Sequence, residues 1–202
     1  MKRKQTKTAR VLDLARTQGM LRPRDLAKHG LHQEILRRLV AQGLLLRHAR
    51  GIYTLTNATL TENHSLAAVC KRVPDGVICL LSALQFHALT TQSPFEVWLT
   101  IDGKARAPRS DTVSLRIIRA TGQGLTYGIE VHRIEGVPVR IYSAAKTVAD
   151  CFKHRNKIGL DVALEALRDC RRKKKASADD IWRAAEVCRV TNVMRPYMEA
   201  MQ

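Results

Sequence analysis

Gln33 and Arg37 lie four residues apart in a stretch, Leu31 to Val40, whose Ile35, Leu36, Leu39 and Val40 recur at helical spacing. On a helix that spacing sets both polar residues on one face, away from the apolar stripe. Their chemistry suits base reading, because glutamine can pair with adenine and arginine with guanine through two hydrogen bonds each. His32 and Arg38 extend the same face. Glu34, nearer its edge, either accepts from cytosine N4 or pairs with Arg38. A few residues on, Arg47-His48-Ala49-Arg50-Gly51 is a compact basic turn, and Arg47, His48 and Arg50 are candidates for phosphate or minor-groove contact. Tyr53 is expected to pack its ring beneath that turn. Upstream, Arg22, Arg24 and Lys28 are phosphate candidates, which would position the protein on a duplex without reading its sequence. Lys2-Arg3-Lys4 with Lys7 reads as a basic tail that adds nonspecific affinity.

A second group invites other chemistry. Lys146, Thr147 and Asp150 fall within one helical turn, and Lys146 and Asp150 are i, i+4. That spacing serves an intrahelical ion pair at least as well as catalysis; alternatively Ser143 caps the helix and Asp150 meets another element. A structural or interface role is favoured. Ser82 and His87, five apart on a helix, do not face one another, and no nucleophile elbow is present. Glu130 and His132 share a strand face without further carboxylates to hold a metal. Asp111 with Glu130 lacks the lysine that a nuclease pair would need. Gly122-Gln-Gly124 reads as a flexible turn. The run Arg171-Arg172-Lys173-Lys174-Lys175 ends a predicted helix, where cations suit the dipole; the alternative is a second contact with nucleic acid. Arg106 and Arg109 are weaker candidates of the same kind. Trp98 and Trp182 read as core. No catalytic residue, metal or cofactor is assigned.

The elements that must carry the first group are short. Helices are predicted over Thr8–Gln18, from Pro23 to Gly30, and from about His32 to Gln42, with Gly19, Gly30 and Gly43 as stops. Two β-prone runs, Leu44–Arg47 and Ile52–Leu55, flank the basic turn as a hairpin. Helix, helix, helix, hairpin is the order of a winged helix-turn-helix, in which the third helix enters the major groove. The same module used only for protein contacts remains an alternative. The Thr-rich stretch 56–64 marks a boundary, giving a DNA-binding domain at 1–60 and a second domain at 65–202. There helices are predicted at Ser65–Arg72, Cys79–Leu89, Lys146–His154, Leu160–Arg171 and Ala178–Arg189, and in a last segment with Pro196 in its first turn. Strands are predicted at Val97–Asp102, Val113–Ala120, Gly128–Ile134 and Val137–Tyr142. Strands and helices in blocks make this half mixed and the chain α+β.

Composition supports that division. The chain of 202 residues has 45% hydrophobic residues, enough for a core, and a formal net charge of +17. Residues 1–60 hold 13 Lys and Arg against Asp13, Asp25 and Glu34, so +10 of that charge falls on the first 60 positions. A basic block of this kind suggests a polyanion. Only 4% of residues are aromatic, which disfavours single-strand binding on stacking platforms and favours a duplex. No apolar run approaches a membrane span, and no apolar stretch follows the charged N-terminus as in a signal peptide. Five cysteines without a C-x-x-C read as reduced, buried thiols of a cytoplasmic protein.

The run from Leu31 to Arg47 followed by Arg50-Gly51-Ile52-Tyr53 resembles the winged helix of AbiEi-type antitoxins. Leu81-Ser82-Ala83-Leu84 with His87-Ala88-Leu89-Thr90 resembles the first helix of that family's C-terminal domain, and Ile141 to Phe152, with Lys146-Thr147 and Asp150, its strand-to-helix segment. Val162–Leu167 and Arg195-Pro196 also fit. The resemblance implies a non-enzymatic repressor that binds inverted repeats upstream of its own operon, two copies to an operator. It also implies a C-terminal domain that counters a nucleotidyltransferase-like toxin from the adjacent gene, as in type IV toxin–antitoxin pairs of phage defence. Lys146, Thr147, Asp150, Arg171, Arg172 and Lys173 are then candidates for the antitoxin interface. Some relatives of this architecture are stand-alone regulators.

Overall fold

In the computed structural model, which describes residues 6–108 and 113–201, the first helix is α1, Lys7–Gln18. The Thr6 hydroxyl accepts from the Ala9 amide and caps its start, and Val11 and Ala15 bury its inner face. Gly19 ends it at φ +66, with its Cα so close to the Glu135 carbonyl that no side chain would fit. Pro23 opens α2, Pro23–Lys28, and the Asp25 carboxylate accepts from the Arg22 amide to close the first turn. Leu31 returns its amide to the Leu26 carbonyl, completing the tight turn into α3, Glu34–Ala41. Ile35, Leu36 and Leu39 are buried and turn α3 against α1.

The hairpin follows as β1, Leu45–Ala49, and β2, Ile52–Leu55, antiparallel with an irregularity between Arg47 and Ala49. Leu21, between α1 and α2, exchanges both backbone hydrogen bonds with Tyr53, at 2.8 and 3.0 Å, and so adds a third short strand. Tyr53 is buried beneath the hairpin in the small core with Leu21, Leu26, Leu36 and Leu45. Helix α4, His64–Arg72, belongs to the same compact unit, as do Arg133–Pro138. The boundary proposed at 56–64 therefore falls after Arg72. Lys71 of α4 pairs with Asp25 at 2.9 Å, a contact between residues too distant in sequence for local pattern to show.

The second unit holds Val73–His132 and the residues from Val139 on. Its elements are β3, Val77–Ile78, then α5, Leu80–Phe86, then β4, Val97–Asp102, then β5, Leu115–Ala120, and α6, Gln123–Thr126. There follow β6, Ile129–Ile134, and β7, Val137–Tyr142, whose residues 133–134 and 137–138 are counted with the first unit, and then α7, Ala144–Lys153. The chain ends with α8, Arg155–Ile158, α9, Leu160–Arg172, α10, Ala178–Cys188, and α11, Thr191–Glu199. The sheet has the order β5-β4-β3-β7-β6, with β3 antiparallel to β4 and parallel to β7. Helix α7 is buried along its length from Ala144 to Phe152 and packs against α5, α9 and α10.

Three expectations are corrected here. Val77 and Ile78 form a strand, and the Cys79 amide still donates to the Trp98 carbonyl, so the predicted helix starts one residue later. Gly122 opens the four-residue helix α6 instead of a plain turn. Pro196 lies in the interior of α11, beyond its first turn. Asn192, whose carbonyl loses its helical donor there, is exposed, and the helix runs on to Glu199, where the Ala200 amide at its end donates to the Pro196 carbonyl.

Candidate nucleic-acid interface

The start of α3 and the hairpin converge on one groove of about 500 Å³, lined by Pro23, Gln33, Glu34, Arg37, Arg47, Arg50, Gly51 and Tyr53. Gln33 precedes the helix in αR conformation and is exposed. Arg37 stands one turn on, its Nη1 3.7 Å from Glu34 Oε2. An ion pair this exposed contributes only ~0–1 kcal/mol, so both groups can leave it for a ligand. Glu34 thus pairs with Arg37 and not with Arg38. Arg47 and Arg50 reach the groove from the hairpin, both exposed. Arg24 and Lys28 are exposed on α2.

A second groove runs along the other flank of α3, lined by Lys7, His32, Glu34, Ile35, Arg37, Arg38 and Ala41. Arg38 is exposed there, while His32 Nδ1 accepts from the amide of Glu34, the first residue of α3, at 3.2 Å. Lys7 is brought here by the fold; in sequence it reads only as part of the tail. Lys2, Arg3, Lys4, Arg109 and Asp111 lie outside the described residues.

Two candidates face elsewhere. Arg22 Nη1 donates to the carbonyls of Lys71 and Arg72 at 2.9 and 3.0 Å, which closes the end of α4 and removes it from the candidate phosphate contacts. His48 Nε2 bonds Thr54 Oγ1 at 2.6 Å, and its ring lies 5.3 Å from that of His64. Burial, then the nearby His64, lower the His48 pKa, so the imidazole is a neutral part of the hairpin's packing. His64 in turn meets the Glu135 carboxylate at 2.7 Å.

The second group is not a surface. Lys146, Thr147 and Asp150 are all buried, with Lys146 Nζ 2.6 Å from Asp150 Oδ2 and 4.3 Å from the Tyr142 ring centroid. Thr147 Oγ1 donates to the Tyr142 carbonyl, and the Cys188 thiol donates to Asp150 Oδ1 at 3.2 Å. Burial and the facing Asp150 push the Cys188 thiol up to about 12, so it stays a donor. The interface expectation for these three residues is therefore corrected: they tie α7 to its neighbours. Ser143 does cap α7, accepting from the Lys146 amide. Arg172 and Lys173 both bind Asp169 at 2.7 Å, Lys173 also donates to the Ala88 carbonyl, and Arg171 to that of Met201. Arg172 and Lys173 remain exposed.

Ser82 and His87 are each engaged with other partners and do not bond one another. Ser82 Oγ accepts from the Trp98 amide, and His87 Nε2 donates to the Tyr142 carbonyl at 2.7 Å. Glu130 and His132 bond each other at 3.0 Å. Among the described residues no group of three His, Cys, Asp or Glu is placed to hold a metal ion, and no helix is long and apolar enough to cross a membrane.

No curated protein matches the chain. A crystal structure of the RV2827C protein from Mycobacterium tuberculosis is similar in fold, with a TM-score of 0.57 at 12% identity over 96% of this chain and 80% of that one. Residues 9–56, which supply every lining residue of the two grooves named above except Lys7, match the family described as transcriptional regulator, AbiEi antitoxin, which is the family the sequence resembles.

Proposed function

We propose that the chain is a duplex-DNA-binding transcriptional regulator that represses its own operon and serves as the antitoxin of an AbiE-like pair in the cytoplasm. The observation that carries this reading is the convergence of Gln33 and Arg37 with Arg47 and Arg50 on one groove. Helix α3 would enter the major groove with Gln33 and Arg37 toward base edges, and Arg47 and Arg50 on the flanking backbone. Arg24, Lys28 and Arg38 would add phosphate contacts. Two copies would occupy inverted repeats. Antitoxin contact with a nucleotidyltransferase-like toxin is assigned to the second unit. With Lys146, Thr147 and Asp150 buried, the exposed Arg172 and Lys173 are what remains of the interface candidates, with Arg171 beside them.

The test is binding of labelled duplex from the region upstream of its own gene against scrambled duplex, at 50 and 200 mM salt. With roughly 6–10 phosphate contacts, affinity should fall by ~10³–10⁵ across that range. Equal affinity for both duplexes overturns the repressor reading and leaves a protein-interaction module. For the antitoxin, an adjacent gene toxic alone and harmless when co-expressed is the expected result; a harmless neighbour leaves a stand-alone regulator.

A further inference from the structure

Glu34 is the only acidic side chain lining either groove beside α3, among the described residues. The other two acids of residues 1–60 are engaged: Asp13 with Arg16, and Asp25 with Lys71 and the Arg22 amide. A carboxylate amid Arg37, Arg38, Arg47 and Arg50 opposes any approach of phosphates, so it weakens the grip on DNA regardless of sequence. It can only accept hydrogen bonds, whereas Arg37 beside it can only donate. In the major groove cytosine and adenine present amino donors, while guanine and thymine present acceptors at O6, N7 and O4. Arg37 Nη1 and Glu34 Oε2 sit 3.7 Å apart with side chains 80% and 63% exposed, a loose pair that a base edge can separate.

We infer that Glu34 and Arg37 act as one reading unit: Arg37 takes a guanine while Glu34 requires an amino-bearing base in the same or the adjoining pair and repels the alternatives. This rests on the duplex-binding reading above. Glu34 is then a specificity determinant bought at some loss of affinity.

The experiment uses the full chain with Glu34→Gln and Glu34→Ala, its upstream duplex, every single-base-pair variant of that duplex, and a random duplex. Both variants should bind random duplex about three- to tenfold more tightly, through loss of one repelling charge. The alanine variant should also lose about fivefold or more in discrimination at one base pair and keep the others. A carboxylate that merely steadies the first turn of α3 would shift the melting temperature and leave both DNA measurements where they were. Random-duplex affinity unchanged or lower in both variants, or discrimination kept everywhere by alanine, overturns the inference while leaving duplex binding intact. A wild-type chain that does not prefer its own upstream duplex overturns both.

Discussion

Replacing Lys146 by methionine keeps most of the side-chain length and removes the charge from a side chain that is 1% exposed. Asp150, whose side chain is 10% exposed, then keeps, among the described residues, the Cys188 thiol at 3.2 Å as its side-chain donor. Removing one member of a buried pair costs about 3–5 kcal/mol, because the remaining charge stays largely buried without its counterion. For a chain of this length that is a fall in melting temperature of roughly 6–20 °C. Asp150→Leu should cost a similar amount by stranding the ammonium over Tyr142. The double variant Lys146→Met with Asp150→Leu should cost far less than the sum, since both charges leave together. Urea unfolding followed by the fluorescence of Trp98 and Trp182, with m-values compared, separates the three. Either single change costing under about 1 kcal/mol, or a double change as costly as the sum, refutes the reasoning. A double variant that melts like the wild type yet no longer neutralises a toxin would return the pair to an interface role.

Four further outcomes follow from the same contacts. Arg22→Ala should destabilise the N-terminal unit by about 1–3 kcal/mol and leave the salt slope of the proposed DNA binding unchanged, whereas Arg47→Ala or Arg50→Ala should lower that slope by about 1 with no loss of stability; calorimetry and a salt titration check both. Gly19→Ala, forced to φ +66 with its Cβ driven into the Glu135 carbonyl, should cost about 2 kcal/mol or more in a denaturant titration. Burial lowers the pKa of His87 despite its bond to the Tyr142 carbonyl, and burial likewise lowers His48 and His154. The folded chain then binds fewer protons than the unfolded chain just below 6.5, so this stability is complete above that value and is lost as pH falls toward the folded pKa. The melting temperature should decline from pH 7.5 to 5.5, less steeply in His87→Gln, and a flat wild-type profile would contradict this. Burial pushes Cys79 and Cys188 up to about 12 and Cys170 to about 11, and Cys151 well above its ordinary value, so native protein should resist alkylation read by mass spectrometry until denaturant is added.

Much of the N-terminal unit could be read in the chain because its determinants are local. The stripe Ile35, Leu36, Leu39 fixes which way α3 faces, and Gly19, Gly43 and Gly51 sit where the backbone turns through positive φ. The stretch from Ala144 to Phe152 shows the opposite case. Lys146 and Asp150 at i, i+4 look the same whether the pair is wet or dry, and burial is decided by α5, α9, α10 and Cys188, far away in sequence. The two-residue strand β3 likewise exists only because β4 and β7 flank it. Charge shows the same limit more sharply. The block of +10 on residues 1–60 treats every arginine alike. In the fold, Arg10 donates to the His29 carbonyl, Arg16 pairs with Asp13, and Arg22 closes α4. Arg22 is structural, whereas the bonds of Arg10 and Arg16 are exposed and, like the Arg37 pair, can be given up to a polyanion. The other exposed cations include Lys7 on α1 and Arg24, Lys28, Arg37, Arg38, Arg47 and Arg50 on α2, α3 and the hairpin. Hydrogen-bond partners thus divide a basic composition into structural and exposed cations, and at the grooves beside α3 Glu34 is the one acidic side chain among the described residues, the ground of the base reading proposed for it.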